Sequence, residues 1–268
     1  MNYSSLMDGC YALLDEATSI IESTGLRYMV IGGWAPLILN SSEDHPHPGT
    51  KDVDILFQDA ATPGTLDDVI NLFFEKGFIP SAKHAFQLLK KFDIGGKEFM
   101  YSVDLLHPSM SKNNPELFVD HLDLEIKLSP TREEEFRMAS IVLPSADFLF
   151  DEHFEQIYIP KLDRKIQLMT ESGCILSKSS SVRNVKRTRD AFDIFLSIHN
   201  CRNYDDMINK IGHTTNKTPN FDESLDKLAT TYKDGTLTKN IGKHSSVPTK
   251  VIDDTFKTFF GSVSIDLK

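Results

Sequence analysis

The sequence predicts an α+β fold: a mixed β-sheet flanked by helices over residues 1–145, followed by a mostly helical region over residues 146–268. Three observations predict it. Short apolar runs bounded by glycine or polar clusters recur through the first half and read as strands. Amphipathic stretches of helical period separate them. Beyond Ser145 the strand signal fades and helical periodicity takes over.

Residues 5–24 read as the first helix, because Leu6, Tyr11, Leu13, Leu14, Ala17 and Ile21 recur near a 3.6-residue period and Gly25 supplies a stop. Arg27-Tyr28-Met29-Val30-Ile31 reads as a strand buried on both faces. Gly32-Gly33 opens a short helix over residues 34–39, whose first turn tolerates Pro36. Residues 41–50, with two prolines and two histidines, form a loop before the strand Lys51-Asp52-Val53-Asp54-Ile55-Leu56-Phe57. Residues 66–76 read as a helix ended by Gly77. Residues 85–94 and 97–106 read as two strands turned by Gly95-Gly96, and 122–128 and 138–143 as further strands. Helices are expected at 146–157, 160–172, 182–199, 204–211, 222–232 and 249–260. No internal repeat or low-complexity segment interrupts this order.

A chain of 268 residues with 40% apolar and 25% charged residues has the composition of a globular protein, not a disordered one. No stretch approaches the roughly 18 apolar residues of a membrane span, and Met1-Asn2-Tyr3-Ser4-Ser5 lacks the basic head of a secretory signal. Cys10, Cys174 and Cys201 are odd in number and fall in no metal or redox spacing, which suits buried thiols in a reducing cytoplasm. The net charge of -10 excludes a global basic footprint for nucleic acid.

The chemistry concentrates in one strand. A period of two puts Asp52 and Asp54 on one face and Val53 and Ile55 on the other. Two carboxylates so close repel, and a hard cation relieves them; Mg²⁺, with its preference for carboxylate and phosphate oxygens, is the natural candidate. Alone, Asp-x-Asp describes many solvated strand faces. Here a strand that runs through Gly32-Gly33 into a helix precedes it, and main-chain N–H groups at such a junction can bind a phosphate. A third carboxylate, Asp104, follows in the apolar strand Tyr101-Ser102-Val103-Asp104-Leu105-Leu106.

This order resembles the nucleotidyltransferase fold of the polymerase-β-like superfamily. Val30-Ile31-Gly32-Gly33-Trp34-Ala35, Pro48-Gly49-Thr50-Lys51-Asp52-Val53-Asp54-Ile55, Val103-Asp104-Leu105-Leu106, Pro160-Lys161-Leu162 and Arg187-Thr188-Arg189-Asp190-Ala191-Phe192-Asp193-Ile194 are similar to the AbiEii-type toxin nucleotidyltransferases of type IV toxin–antitoxin systems. The resemblance spans residues 26–196. It implies a Mg²⁺-dependent enzyme that moves a nucleoside monophosphate from an NTP to a hydroxyl, with Asp52, Asp54 and Asp104 as catalytic residues and as ligands of two Mg²⁺ ions, Mn²⁺ being able to substitute. It implies nucleotide contacts at Gly32, Gly33, Lys51, Lys161 (Lys165 in its place as the second choice), Lys186 and Asp190. The partners it implies are the NTP, an acceptor such as a tRNA 3′ end or a protein side chain, and an antitoxin protein. The chain departs from the pattern in having Gly33 where many members have serine, and in a longer segment between Gly33 and Asp52. Aminoglycoside and lincosamide nucleotidyltransferases, which share Gly-Gly-Trp-Ala, are the second match. A non-catalytic nucleotide-binding module is the third reading.

Residues 161–189 hold eight basic residues against Asp163 and Glu171, a local balance of +6. Lys161 and Lys165 are expected on one helix face. The pairs Lys186–Asp190 and Arg189–Asp193 fit i,i+4 spacing on the next helix, with Asp193 read as structural. These cations read either as a solvated face or as a triphosphate clamp. His45 and His47 are read as ordinary loop residues, His107 as a surface histidine, and Trp34, Phe73-Phe74 and Phe259-Phe260 as core.

Overall fold

A computed structural model describes residues 2–58, 66–108, 119–122, 138–143, 146–217, 220–265 and 267. In chain order its strands are β1 (Asn2–Tyr3), β2 (Tyr28–Val30), β3 (Asp52–Phe57), β4 (Ile79–Pro80), β5 (Gln87–Ile94), β6 (Lys97–Pro108), β7 (Val119–Leu122), β8 (Met138–Leu143), β9 (Phe154–Ile159) and β10 (Arg164–Met169). The helices are α1 (Leu6–Thr24), α2 (Trp34–Leu39), α3 (Asp67–Glu75), α4 (Leu149–Glu152), α5 (Glu171–Ser179), α6 (Arg189–His199), α7 (Tyr204–Lys217), α8 (Asn220–Lys233), α9 (Thr236–Ile241) and α10 (Thr249–Ser262). The architecture is α+β, as the composition of its segments predicts. Among the described residues no helix is long and apolar enough to cross a membrane.

The chain divides into two units. The first comprises Met1–Ile31, Thr50–Phe150 and Gln156–Leu168. Its mixed sheet follows the order β1-β5-β6-β3-β2-β10-β9, with β4 beside β5 and the β7–β8 pair joined through β6. The apolar run of β2 is buried throughout and pairs antiparallel with β3, while β3 runs parallel to β6. The β5–β6 hairpin turns at Gly95 and Gly96, with φ of 59° and 83°, a conformation of this turn that residues with a Cβ avoid. Helix α1 starts at Ser5, whose hydroxyl accepts the Asp8 N–H at 3.1 Å, and ends at Gly25. It lays Leu13, Leu14, Ala17 and Ile21, all fully buried, against the sheet and α3.

The second unit comprises Gly32–Gly49, Asp151–Glu155 and Met169–Lys268, and is helical apart from its connections. Its core is aromatic: Phe192, Phe195, Phe256, Phe259 and Phe260 are buried without exposure. Residues 156–168, past the boundary expected at 145, belong with the sheet.

Several expected elements differ. The helix at 146–157 is reduced to a 3₁₀ turn and the single turn of α4, because β9 begins at Phe154. The helix at 160–172 is a turn followed by β10. Ile166 and Leu168 alternate into the core while Arg164 reaches back to Asp15 and Glu22 of α1, and Asp163, with φ of 52°, makes the turn. Lys161 and Lys165 therefore share no helix face. Residues 182–188 are turns, and α6 starts only at Arg189. α5 and α9 were not expected. The strand expected at 122–128 meets β7 only at Leu122, and 123–128 lie outside the described residues. His107, expected at the surface, is buried at the end of β6.

A buried histidine binds three elements of the second unit. Thr214 donates its hydroxyl to the Lys210 carbonyl at 3.0 Å, so His153 Nε2–H donates to Thr214 Oγ1 at 2.6 Å and Nδ1 accepts from Ser172 Oγ at 2.7 Å. Burial pushes this imidazole down from 6.5 to about 4. The unfolded chain thus takes up a proton that the folded chain refuses between those values, and stability falls as pH drops through that window. Going from pH 7 to pH 5, urea denaturation is expected to show the wild type losing about 2 kcal/mol more than His153→Gln. Equal losses contradict a neutral buried His153.

Candidate active site

Alternation along β3 buries Val53 and Ile55 and leaves Asp52 and Asp54 half-buried on the opposite face. The parallel register with β6 sets Ser102 opposite Asp52 and Asp104 opposite Asp54. Because Val103 and Leu105 are buried in step with Val53 and Ile55, all three carboxylates stand on one face of two adjacent strands. On the far side of β6, Gln87 of β5 is in register with Asp104, and its Nε2–H donates to Asp104 Oδ1 at 2.8 Å. Thr50 donates its hydroxyl to Asp52 Oδ1 at 2.6 Å. The Ile31 N–H donates to the Asp54 main-chain carbonyl at 3.0 Å, extending the β2–β3 ladder to the residue before Gly32.

The electrostatics follow from this crowding. Burial raises the carboxyl pKa of Asp104, with the Asp52 charge adding to it and the Gln87 hydrogen bond opposing. A cation at this face would relieve both effects. Among the described residues no group of three His, Cys, Asp or Glu side chains is drawn together closely enough to enclose a metal. Mg²⁺ does not need such an enclosure: one or two carboxylates suffice where water and substrate phosphates complete its six oxygens. The donor set of hard carboxylate oxygens on one face fits that ion.

The other expected contacts fall in both units. Lys51 is exposed just before β3. Lys161 lies in the β9–β10 turn, its Nζ 3.6 Å from Asp8 and 4.6 Å from the Tyr11 ring centroid, and Lys165 is exposed on β10. Gly32, Gly33, Lys186 and Asp190 belong to the second unit. Gly32 has φ of 73°, a left-handed conformation open to glycine. Helix α2 beyond it has only six residues, and Pro36 removes one first-turn donor, so any hold on a phosphate there comes from the glycine backbone rather than the helix dipole.

Lys186 does not pair with Asp190. It sits in the exposed turn before α6, and Asp190 instead accepts from Lys178 Nζ at 2.9 Å and Ser181 Oγ at 2.8 Å. Lys178, buried on α5, also donates to Asp193 Oδ2 at 2.8 Å. His47 Nε2 meets Asp193 Oδ1 at 3.1 Å, and the expected Arg189–Asp193 pair is present at 3.8 Å. Burial pushes the Lys178 ammonium down and the Asp193 carboxyl up; the attraction between Lys178 and its two aspartates overrides both, raising the first and lowering the second. Neither Lys178 nor His47 stands out in the sequence. The available signal was Asp193 itself: within Ala191-Phe192-Asp193-Ile194-Phe195 it must be buried, and a buried carboxylate requires a cation.

No family model and no curated protein matches the chain. Solved structures that resemble it include the following two. One is an antigenic nucleotidyltransferase-like protein from Paracoccidioides brasiliensis, at 13% identity over 84% of this chain and 94% of that one, with a TM-score of 0.36. The other is the antibiotic-resistance factor ANT(2'')-Ia, at 10% identity over 80% and 96%, with a TM-score of 0.39. Likeness at this level assigns no function to the chain.

Removing one partner of a buried ion cluster strands the others. Lys178→Met is expected to lower the unfolding free energy by roughly 3–5 kcal/mol in chemical denaturation, since Asp190 and Asp193 lose their shared cation. A loss below about 1 kcal/mol, the scale of an exposed pair, contradicts the buried cluster.

Proposed function

We propose that the protein is a Mg²⁺-dependent nucleotidyltransferase that moves a nucleoside monophosphate from an NTP to a hydroxyl acceptor. The observation that carries the reading is the register that sets Asp54 opposite Asp104, with Asp52 on the same face. Asp52 and Asp54 would hold the metal, with Asp104 beside them. Bound there, Mg²⁺ supplies charge neutralisation for the phosphates and polarises the reacting oxygens.

The chain's own groups supply the rest. The acceptor oxygen attacks the α-phosphorus, the bond to the β-phosphate oxygen breaks, and pyrophosphate leaves. The proton of the acceptor hydroxyl passes to Asp104, whose raised pKa makes it a stronger base than an ordinary aspartate. Gln87 fixes Oδ1 of that carboxyl and so orients it. Lys51 and Lys161 or Lys165 are proposed as screening cations for the triphosphate; the contacts at Gly32, Gly33, Lys186 and Asp190 rest on the family resemblance alone.

The resemblance to AbiEii-type enzymes carries the reading further, to a toxin with an antitoxin partner and to a tRNA 3′ end or a protein side chain as acceptor. The basic segment 161–189 gives RNA modest support. Arg164 is engaged by Asp15 and Glu22 and Lys178 is buried, so Lys186 and Arg187 are among its cations that remain exposed.

The test offers NTPs labelled at the α-phosphate, with Mg²⁺, to total tRNA, to the protein alone, and to a panel of aminoglycosides and lincosamides. Label is expected on one acceptor class, and to fall by about a thousandfold or more in Asp54→Asn, in line with loss of the main charge-stabilising group, while its melting temperature holds. Equal labelling by wild type and Asp54→Asn overturns the metal role. Metal-dependent nucleotide binding without transfer to any acceptor favours the binding-module reading.

A further inference from the structure

We infer that the helical unit binds the phosphate backbone of an RNA duplex on a surface built from two segments far apart in sequence, residues 182–189 and 233–244. This goes beyond the nucleotidyl-transfer reading and is independent of it. Every residue involved belongs to the second unit, and neither metal nor turnover is needed. The two segments hold seven Lys or Arg residues against one carboxylate, Asp234, in a chain whose net charge is -10. The sign of this surface is the reverse of the chain's, which favours an anionic partner.

Hydrogen bonds bring the segments together. Arg183 Nε donates to Thr231 Oγ1 at 3.0 Å, near the end of α8, and the same guanidinium meets Asp234 Oδ2 at 3.4 Å. Thr188 Oγ1 lies 2.9 Å from His244 Nε2, which ties the start of α6 to the turn after α9. Burial lowers the pKa of the His244 imidazole, and the neighbouring Arg189 and Lys243 lower it further against the pull of Asp193. Cations of both segments thus act on one side chain. Arg183 is matched by Asp234, and Arg189 is drawn to Asp193 and the Gly49 carbonyl. Lys186, Arg187, Lys239 and Lys243 are exposed, and among the described residues no carboxylate pairs with them. Val185, between two of these cations and Arg183, is 86% exposed, so the turn that carries them stands open to solvent.

The chemistry of the surface selects among polyanions. Single-stranded nucleic acid is held by aromatic side chains that stack on its bases, and neither segment contains Phe, Tyr or Trp. Reading base edges in DNA takes a helix or ribbon laid in the major groove, whereas these segments offer turns and the six-residue α9. Between the cations stand neutral hydrogen-bonding side chains, Asn184, Thr236 and Thr238. Phosphates beside 2′-hydroxyls, across the shallow minor groove of A-form RNA, call for that combination.

The test is fluorescence anisotropy of the full-length protein with a labelled RNA hairpin whose stem has about 16 base pairs, in EDTA so that no metal joins a phosphate to the strand acids. Four phosphate contacts predict a slope of log affinity against log salt of about -3 to -4, a loss of roughly a hundredfold between 50 and 200 mM KCl. Arg187→Ser, Lys239→Ser and Lys243→Ser are each expected to reduce the magnitude of that slope by about one and to weaken binding about five- to tenfold at 0.1 M KCl. Lys217→Ser removes the same charge at an exposed position separated from Asp234 by the length of α8, about 20 Å, and should stay within about twofold of wild type. A DNA hairpin of the same sequence and an unpaired RNA strand are expected to bind about fivefold more weakly or worse. No saturable binding of the RNA hairpin at low salt, or an equal loss in Lys217→Ser, overturns the surface. Equal affinity for the DNA hairpin or for the unpaired strand overturns the assignment to duplex RNA. Capture by vesicles of anionic phospholipid in place of the hairpin gives the surface to a membrane and overturns it as well. Asp54→Asn is expected to bind the hairpin as the wild type does, so a failure of nucleotidyl transfer and a failure of RNA binding are separate results; loss of the hairpin in Asp54→Asn puts the RNA on the strand acids and overturns the inference.

Discussion

Register between two parallel strands governs the candidate site. Because Val53 and Ile55 must be buried, Asp52 and Asp54 are forced to the other face of β3. Because Val103 and Leu105 must be buried, Asp104 is forced to the same side of β6. A slip of one residue in either strand would turn its acids into the core, where an unpaired carboxylate is costly. Hydrophobic burial on one face therefore concentrates negative charge on the other. Burial, with the Asp52 charge adding to it, raises the pKa of Asp104, and the proposed divalent cation would relieve both.

A second concentration of charge is handled in the opposite way. Asp190 and Asp193 are buried on α6, and the chain supplies its own cation, Lys178, together with Ser181 and His47. Asp193 is thereby held ionised, so it serves as a fixed negative anchor. The helix acids are compensated within the protein, while Thr50 and Gln87 are among the partners of Asp52 and Asp104 and orient those carboxylates without cancelling their charge.

Much of this was legible in the sequence where the signal is local. The alternation around Asp52 and Asp54, the stop at Gly25 and the turn at Gly95-Gly96 depend on neighbours a few residues away, and the structure has them where the pattern puts them. The β9–β10 hairpin was not legible. Two lysines four residues apart imitated a helix face, while the decisive fact was the pairing of Leu168 with Val30, remote in sequence. Lys178 escaped for the same reason, since its partners lie 12 and 15 residues further along the chain. His47 read as a loop residue because its proline-rich surroundings say nothing of a carboxylate 146 residues away.

The central claim is that the face shared by β3 and β6 holds a divalent metal together with nucleotide phosphates. Its most direct test is a crystal structure grown with Mn²⁺ and a non-hydrolysable NTP, with diffraction recorded at the manganese absorption edge. The account predicts an anomalous peak within coordination distance of Asp52 and Asp54, with the triphosphate on the same ion. Nucleotide bound with no anomalous peak at those carboxylates, or manganese bound elsewhere on the protein, would contradict it.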